Sequence, residues 1–164
     1  MPEIDQFVSS NAAYASAFEH SGLPMPPARR VAVLTCMDAR LHPETFLGLD
    51  VGDAHVIRNA GGRASSDALR SLVISEQLLG TREIVVIHHT DCGMLTFTNE
   101  TLHAQLQDSF GEPAAAIDFL PFSDLEQSVR DDVGAIHEHA FIPAEIEVSG
   151  FIYDVETGRL QRVV

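Results

Sequence analysis

Between residues 31 and 89 strand-like and helix-like segments alternate, and that alternation limits the folds open to this chain more than any other feature. "VAVLTC" (31–36) and "EIVVIHH" (83–89) are apolar at successive positions over most of their length, as a strand buried on both faces requires. "AHVIRN" (54–59) supplies another strand between them. Pro43 suits the first turn of a short helix over 43–48. Ser65 or Ser66 can cap the helical segment "DALRSLVISEQLLG", which Gly80 ends. Apolar strands separated by helices imply a mainly parallel sheet.

The flanking segments complete the expectation. Ile4, Phe7, Val8, Ala12, Ala15 and Phe18 fall at helical spacing, so 4–20 reads as an amphipathic helix. Gly22 and the three prolines of "SGLPMPPARR" make a linker. Residues 123–139 read as a helix. "EIEVSGFIYDVETGRLQRVV" alternates with period two and turns at "ETG", as a strand pair does. Residues 95–122 carry no clear pattern. The expected fold is an α/β domain over 1–164: a mainly parallel central sheet flanked by helices, an N-terminal helical arm and linker over 1–27, and a C-terminal strand pair.

Charge and composition exclude several functions. The formal net charge is −14, and all ten basic residues are arginine. An acidic surface repels phosphate backbones and anionic lipid, so no nucleic acid or membrane partner is expected. Schiff-base and Walker-type chemistry both need a lysine, and there is none. No apolar run approaches the ~20 residues of a membrane span, and the acidic N-terminus lacks the pattern of a signal peptide. The expected location is the cytoplasm.

The ends of the two most apolar strands carry the chemistry. The first ends in "CMDAR", which holds Cys36, Asp38 and Arg40. The third ends in "HHTDCG", which holds His89 and Cys92 as H-x-x-C. In open α/β sheets ligands gather outside the carboxyl ends of the strands. If these two strands are neighbours, Cys36, His89 and Cys92 converge. Two thiolates and an imidazole are a zinc set that leaves a fourth position open, the mark of a catalytic site. Zinc brings the pKa of a bound water down to roughly 7. Asp38 and Arg40, two apart on an extended segment, point the same way. Arg40 would keep Asp38 ionised, and an ionised carboxylate only accepts hydrogen bonds. Asp38 would then accept from the zinc-bound hydroxide and aim its lone pair at an electrophile.

Taken singly, each piece has a plainer explanation. Cys36 can be a small buried hydrophobe, H-x-x-C is a short pattern, and Asp38 with Arg40 can be a surface or capping pair. A Cys36–Cys92 disulfide is a further option that a reducing cytosol disfavours. The adjacent His88 faces the other side of its strand and reads as a packing or supporting residue.

Together, "CMDAR" and "HHTDCG", with "RNAGG" between them, resemble the β-class carbonic anhydrases over about residues 31–95. The resemblance implies zinc bound by Cys36, His89 and Cys92, and a catalytic dyad of Asp38 and Arg40. Asp38 is also an alternative fourth ligand, as in members where the aspartate swings onto the metal. Arg58 and Gly61, in the "RNAG" turn, would line the substrate approach. The implied reaction is reversible hydration of carbon dioxide to bicarbonate. The implied assembly is a homodimer or higher homo-oligomer, with the N-terminal helix reaching over the partner. This chain has His88 where the family's common form has glycine, and Gln6 is its only glutamine before Cys36. Its short form is also similar to relatives that hydrolyse carbonyl sulfide. Two alternatives follow: a zinc hydrolase of carbonyl sulfide or carbon disulfide, and a non-catalytic zinc-binding module.

Overall fold

A computed structural model describes residues 2–164. The strands are β1 (Val31–Cys36), β2 (Ala54–Asn59), β3 (Glu83–His89), β4 (Glu147–Tyr153) and β5 (Leu160–Arg162). They form one sheet in the order β2-β1-β3-β4-β5. β1 is parallel to both β2 and β3, β4 is parallel to β3, and only β5 runs antiparallel, against β4. The sequence condition for a converging site is therefore met. β1 and β3 are direct neighbours, and Thr35 pairs with Ile87 just before Cys36 and His89.

The helices are α1 (Glu3–Ser16), α2 (Pro43–Leu47), α3 (Ser66–Gln77), α4 (Asn99–Phe110) and α5 (Leu125–His137). Ser65 caps α3 by accepting from Ala68 N, and Asp124 caps α5 by accepting from Gln127 N. Each cap satisfies an amide that the first helical turn leaves free. α3 and α5 cover one face of the sheet. Ala68 and Leu72 of α3 and Val133 and Ile136 of α5 share a core with Ala32, Leu34, Ile84, Val86 and Val148. β4 comes close to α5 because Gly150 has no side chain. A Cβ there would lie 2.5 Å from Val129 Cγ1. On the opposite face Val85, Ser149 and Phe151 are only half-buried.

Two helices depart from expectation. α1 ends at Ser16, short of the expected residue 20, and buries none of its residues. Ile4, Phe7, Val8 and Tyr14 stay exposed. α4 occupies the stretch that had no clear pattern. It also buries nothing, so it has no apolar stripe to announce it. Its signals are local: a capping box between Thr98 and Thr101, and Gly111 in the left-handed conformation at its end.

Candidate metal centre

Three side chains meet at the carboxyl ends of β1 and β3. Cys36 closes β1, His89 closes β3, and Cys92 precedes a single 3₁₀ turn at Gly93–Leu95. One ligand atom from each lies within 4.8 Å of the others. The residues are 5%, 0% and 3% exposed, and both cysteines are free thiols.

His89 is set for ligation by the strand it ends. Its Nδ1 lies 2.8 Å from Thr90 O. A carbonyl only accepts, so Nδ1 carries the proton and Nε2 presents a lone pair. Nε2 is buried and has no hydrogen-bond partner. An orphaned buried nitrogen between two thiols is what a missing cation would explain. Without one, the thiols divide a single charge. Cys36 is lowered to about 4, chiefly by a hydrogen bond from Cys92, with help from the amides of Asp38 and Gly61 against the effect of burial. The same contact with Cys36, together with burial, pushes Cys92 up. The donor set fits a divalent, thiophilic ion such as zinc.

Asp38 lies beside this cluster, with Oδ2 3.8 Å from His89 Nε2. Arg40 grips both of its oxygens: Nε donates to Oδ1 at 3.0 Å and Nη2 to Oδ2 at 2.7 Å. Those hydrogen bonds hold the Asp38 carboxyl well below the usual carboxylate range. Arg40 is itself held from the far side. Its Nη1 donates to Asp91 Oδ2 at 2.7 Å and its Nη2 to Asp91 O at 3.0 Å. Sequence reasoning missed Asp91. The only signal was its place directly before Cys92, and its left-handed φ of 54° comes from the fold.

A cavity of about 420 Å³ opens over the cluster, lined among others by Met37, Ala60, Gly61, Met94 and Phe97. Gly61 is on this wall. Arg58 acts elsewhere: its Nε donates to Cys36 O at 3.0 Å and its Nη2 to Asp38 O at 2.7 Å. It buttresses the backbone that carries the thiol and the carboxylate. His88 points away from the cluster, with Nδ1 2.8 Å from Ser128 Oγ and Nε2 3.0 Å from Asp132 Oδ2.

Comparison with known proteins shows what the chain is similar to. Residues 31–160 match the sequence model of a family described as carbonic anhydrase. The chain is 44% identical to β-carbonic anhydrase 1 of Mycobacterium tuberculosis, covering 99% of both proteins. It is 38% identical to a carbon disulfide hydrolase of an Acidianus species, over 84% of this chain and 79% of that one. The crystal structure of a carbonic anhydrase from Streptococcus mutans superposes with a TM-score of 0.95 at 52% identity, covering 100% of this chain and 99% of the other.

Proposed function

The chain belongs to the β-carbonic anhydrase family, and from that premise we propose that it catalyses the reversible hydration of carbon dioxide at a zinc ion held by Cys36, His89 and Cys92. Carbon dioxide and water give bicarbonate and a proton. The observation that carries this reading is the unpartnered His89 Nε2, buried between two free thiols and 3.8 Å from a carboxylate held ionised.

Zinc, when bound, supplies the Lewis acidity that makes water a nucleophile near neutral pH. Asp38, an acceptor only, takes a hydrogen bond from the attacking water and so orients its lone pair. Arg40 keeps Asp38 charged and aimed, and Asp91 keeps Arg40 in place. For Asp38 to become a fourth ligand, it would bind through an oxygen that now accepts from Arg40. Ala60, Met94 and Phe97 present hydrocarbon to a gas that has no charge to recognise. Gly61 leaves room beside them, and Arg58 fixes the backbone of Cys36 and Asp38.

The test is metal content and stopped-flow hydration of Cys36→Ala and His89→Ala. Both variants should lose zinc and activity together. Full activity in either would rule the assignment out. A second reading is hydrolysis of carbon disulfide or carbonyl sulfide, which the apolar lining and the 38% identical hydrolase favour. Relative turnover of the gases separates the two.

The same premise carries an assembly. α1 exposes Ile4, Phe7 and Val8 yet buries nothing, and an isolated helix of 14 residues is marginal in water. A second copy of the chain would cover it, with the half-buried face of the sheet as further contact. Residues 1–27 are then an arm on one domain. Removing them should shift sedimentation toward monomer, and an unchanged profile would refute the arm. Among the described residues no helix is long and apolar enough to cross a membrane. Two reduced thiols suit the cytoplasm.

A further inference from the structure

The mechanism leaves one buried ion pair without a task. The side chains of Arg63 and Asp132 are 12% and 6% exposed. Arg63 Nε donates to Asp132 Oδ2 at 2.8 Å and Nη2 to Oδ1 at 3.2 Å, a two-pronged fork. Nη1 donates to Leu120 O at 2.8 Å, and Leu120 is left-handed at φ 56°. The guanidinium also lies over the Phe122 ring, 5.4 Å from its centroid. A buried ion pair is poor evidence for stability, because desolvation offsets the attraction. The convergence of these contacts on one side chain calls for another purpose.

The other side of Arg63 supplies it. A Cβ on Gly61 would lie 3.2 and 3.3 Å from Arg63 Cγ and Cδ, and 2.8 Å from Met94 Cγ. Gly61 is therefore packed against both Arg63 and Met94, and both Gly61 and Met94 line the metal cavity. Asn59 closes the turn that carries Gly61, accepting from Arg63 N at 2.8 Å and donating to Arg63 O at 2.7 Å. From the opposite side Phe122 N donates to Met94 O at 3.2 Å. Arg63 thus holds one lining residue through its own stem and turn. It holds the other through Leu120 and Phe122.

We propose that Arg63, locked by Asp132, is a positioning residue that sets how Gly61 and Met94 pack in the cavity wall and thereby the selection between carbon dioxide and the bulkier carbon disulfide. It touches neither gas. The identity of the gases rests on the proposed function; the positioning does not. A forked arginine–carboxylate pair fixes the plane of the guanidinium, which suits a device that must hold a wall still.

Asp132 Oδ2 also lies 3.0 Å from His88 Nε2, so Arg63→Met is the decisive variant; Asp132→Asn breaks the fork from its other side, and the double variant completes a cycle. Two readouts apply to the full-length protein. One is kcat/KM for carbon dioxide relative to carbon disulfide in the zinc-loaded enzyme. The other is the rate at which Ellman's reagent modifies Cys36 and Cys92 in metal-free protein, which needs no turnover. Each single variant should move the ratio toward carbon disulfide by about tenfold, the scale on which apolar pockets read small differences in size. Each should also speed thiol modification. The double variant should do no more than the singles, because the pair acts as one unit. Arg70→Met, which breaks the exposed pair with Asp67, should change neither readout. If a single variant fails to fold, Arg63→Lys keeps the charge, loses the fork and is read the same way.

Variants that unfold earlier but keep the wild-type ratio and thiol rate would overturn the proposal. So would effects that simply add. If the wild-type enzyme turns over neither gas, the proposed function fails, and the thiol rates still decide the positioning.

Discussion

Asp38 meets Arg40 through both carboxylate oxygens, and its role depends on that grip. Asp38→Asn keeps the shape and removes the charge. It should lower kcat/KM by about a hundredfold, the scale of a positioned proton-handling group. Zinc content should stay at one per chain, which separates a lost orienting group from a lost ligand. The thiol pair makes a second prediction. In metal-free protein Cys36 is lowered to about 4, so it is already ionised at neutral pH, while Cys92 is pushed up and keeps its proton. Zinc must displace that proton and any second proton on His89, whose pKa, against the effect of burial, the neighbouring Cys36 raises, so binding at pH 7 should release at least one proton per ion, and affinity should rise with pH. Titration calorimetry in buffers of different ionisation enthalpy reads this directly; no proton release would contradict the assignment of both cysteines. At this scale the sequence was informative where chemistry is local. Cys36, Asp38 and Arg40 sit within five residues, and His89 and Cys92 within four. Asp91 gave no signal beyond its place before Cys92, because its role depends on a turn that brings it to Arg40 from 51 positions away. Arg63 and Asp132 were illegible for the same reason, 69 positions apart.

The elements that place the site were the most legible of all. β1, β2 and β3 have the bounds their sequences marked; for β1 and β3 the reason is burial between neighbours, which writes itself into consecutive residues, while β2 is a half-buried edge strand. α4 was not legible because it buries none of its residues, so no apolar stripe marks it and only its end signals do. The turn after β2 falls between these cases. "NAGG" is visible as glycine-rich, but the reason lies in the packing. Gly62 has φ 69°, and a Cβ there would sit 2.9 Å from both Cys36 N and Thr35 C. Only glycine fits this close under the strand that delivers the first thiol. Gly62→Ala should cost about 3 kcal/mol through strain and overpacking. It should also weaken zinc binding by displacing Cys36. Denaturant unfolding and zinc stoichiometry measure the two effects, and an alanine variant with both unchanged would refute this account of the turn.

Across the whole molecule, acidity and function share a few carboxylates. Burial works to raise the pKa of Asp132, but hydrogen bonds from His88 and Arg63 lower it on balance. A depressed carboxyl stabilises the fold above the ordinary carboxylate pKa, about 3.9, and that contribution is lost as pH falls through the folded value. Asp38 acts in the same direction. The protein should therefore lose stability steeply below pH ~4. Asp132→Asn should be less stable at neutral pH but flatter over that acid limb, as thermal melts across pH would show; a limb of unchanged slope would remove Asp132 from the account. Parallel strands whose carboxyl ends carry two thiols, an imidazole and an ionised carboxylate beneath an apolar opening make one central claim, hydration of carbon dioxide. Stopped-flow hydration by zinc-loaded protein at alkaline pH, with carbon disulfide and carbonyl sulfide run beside it, tests it most directly. Fast hydration that exceeds sulfide release is the expected result. Weak hydration with strong sulfide release would contradict it.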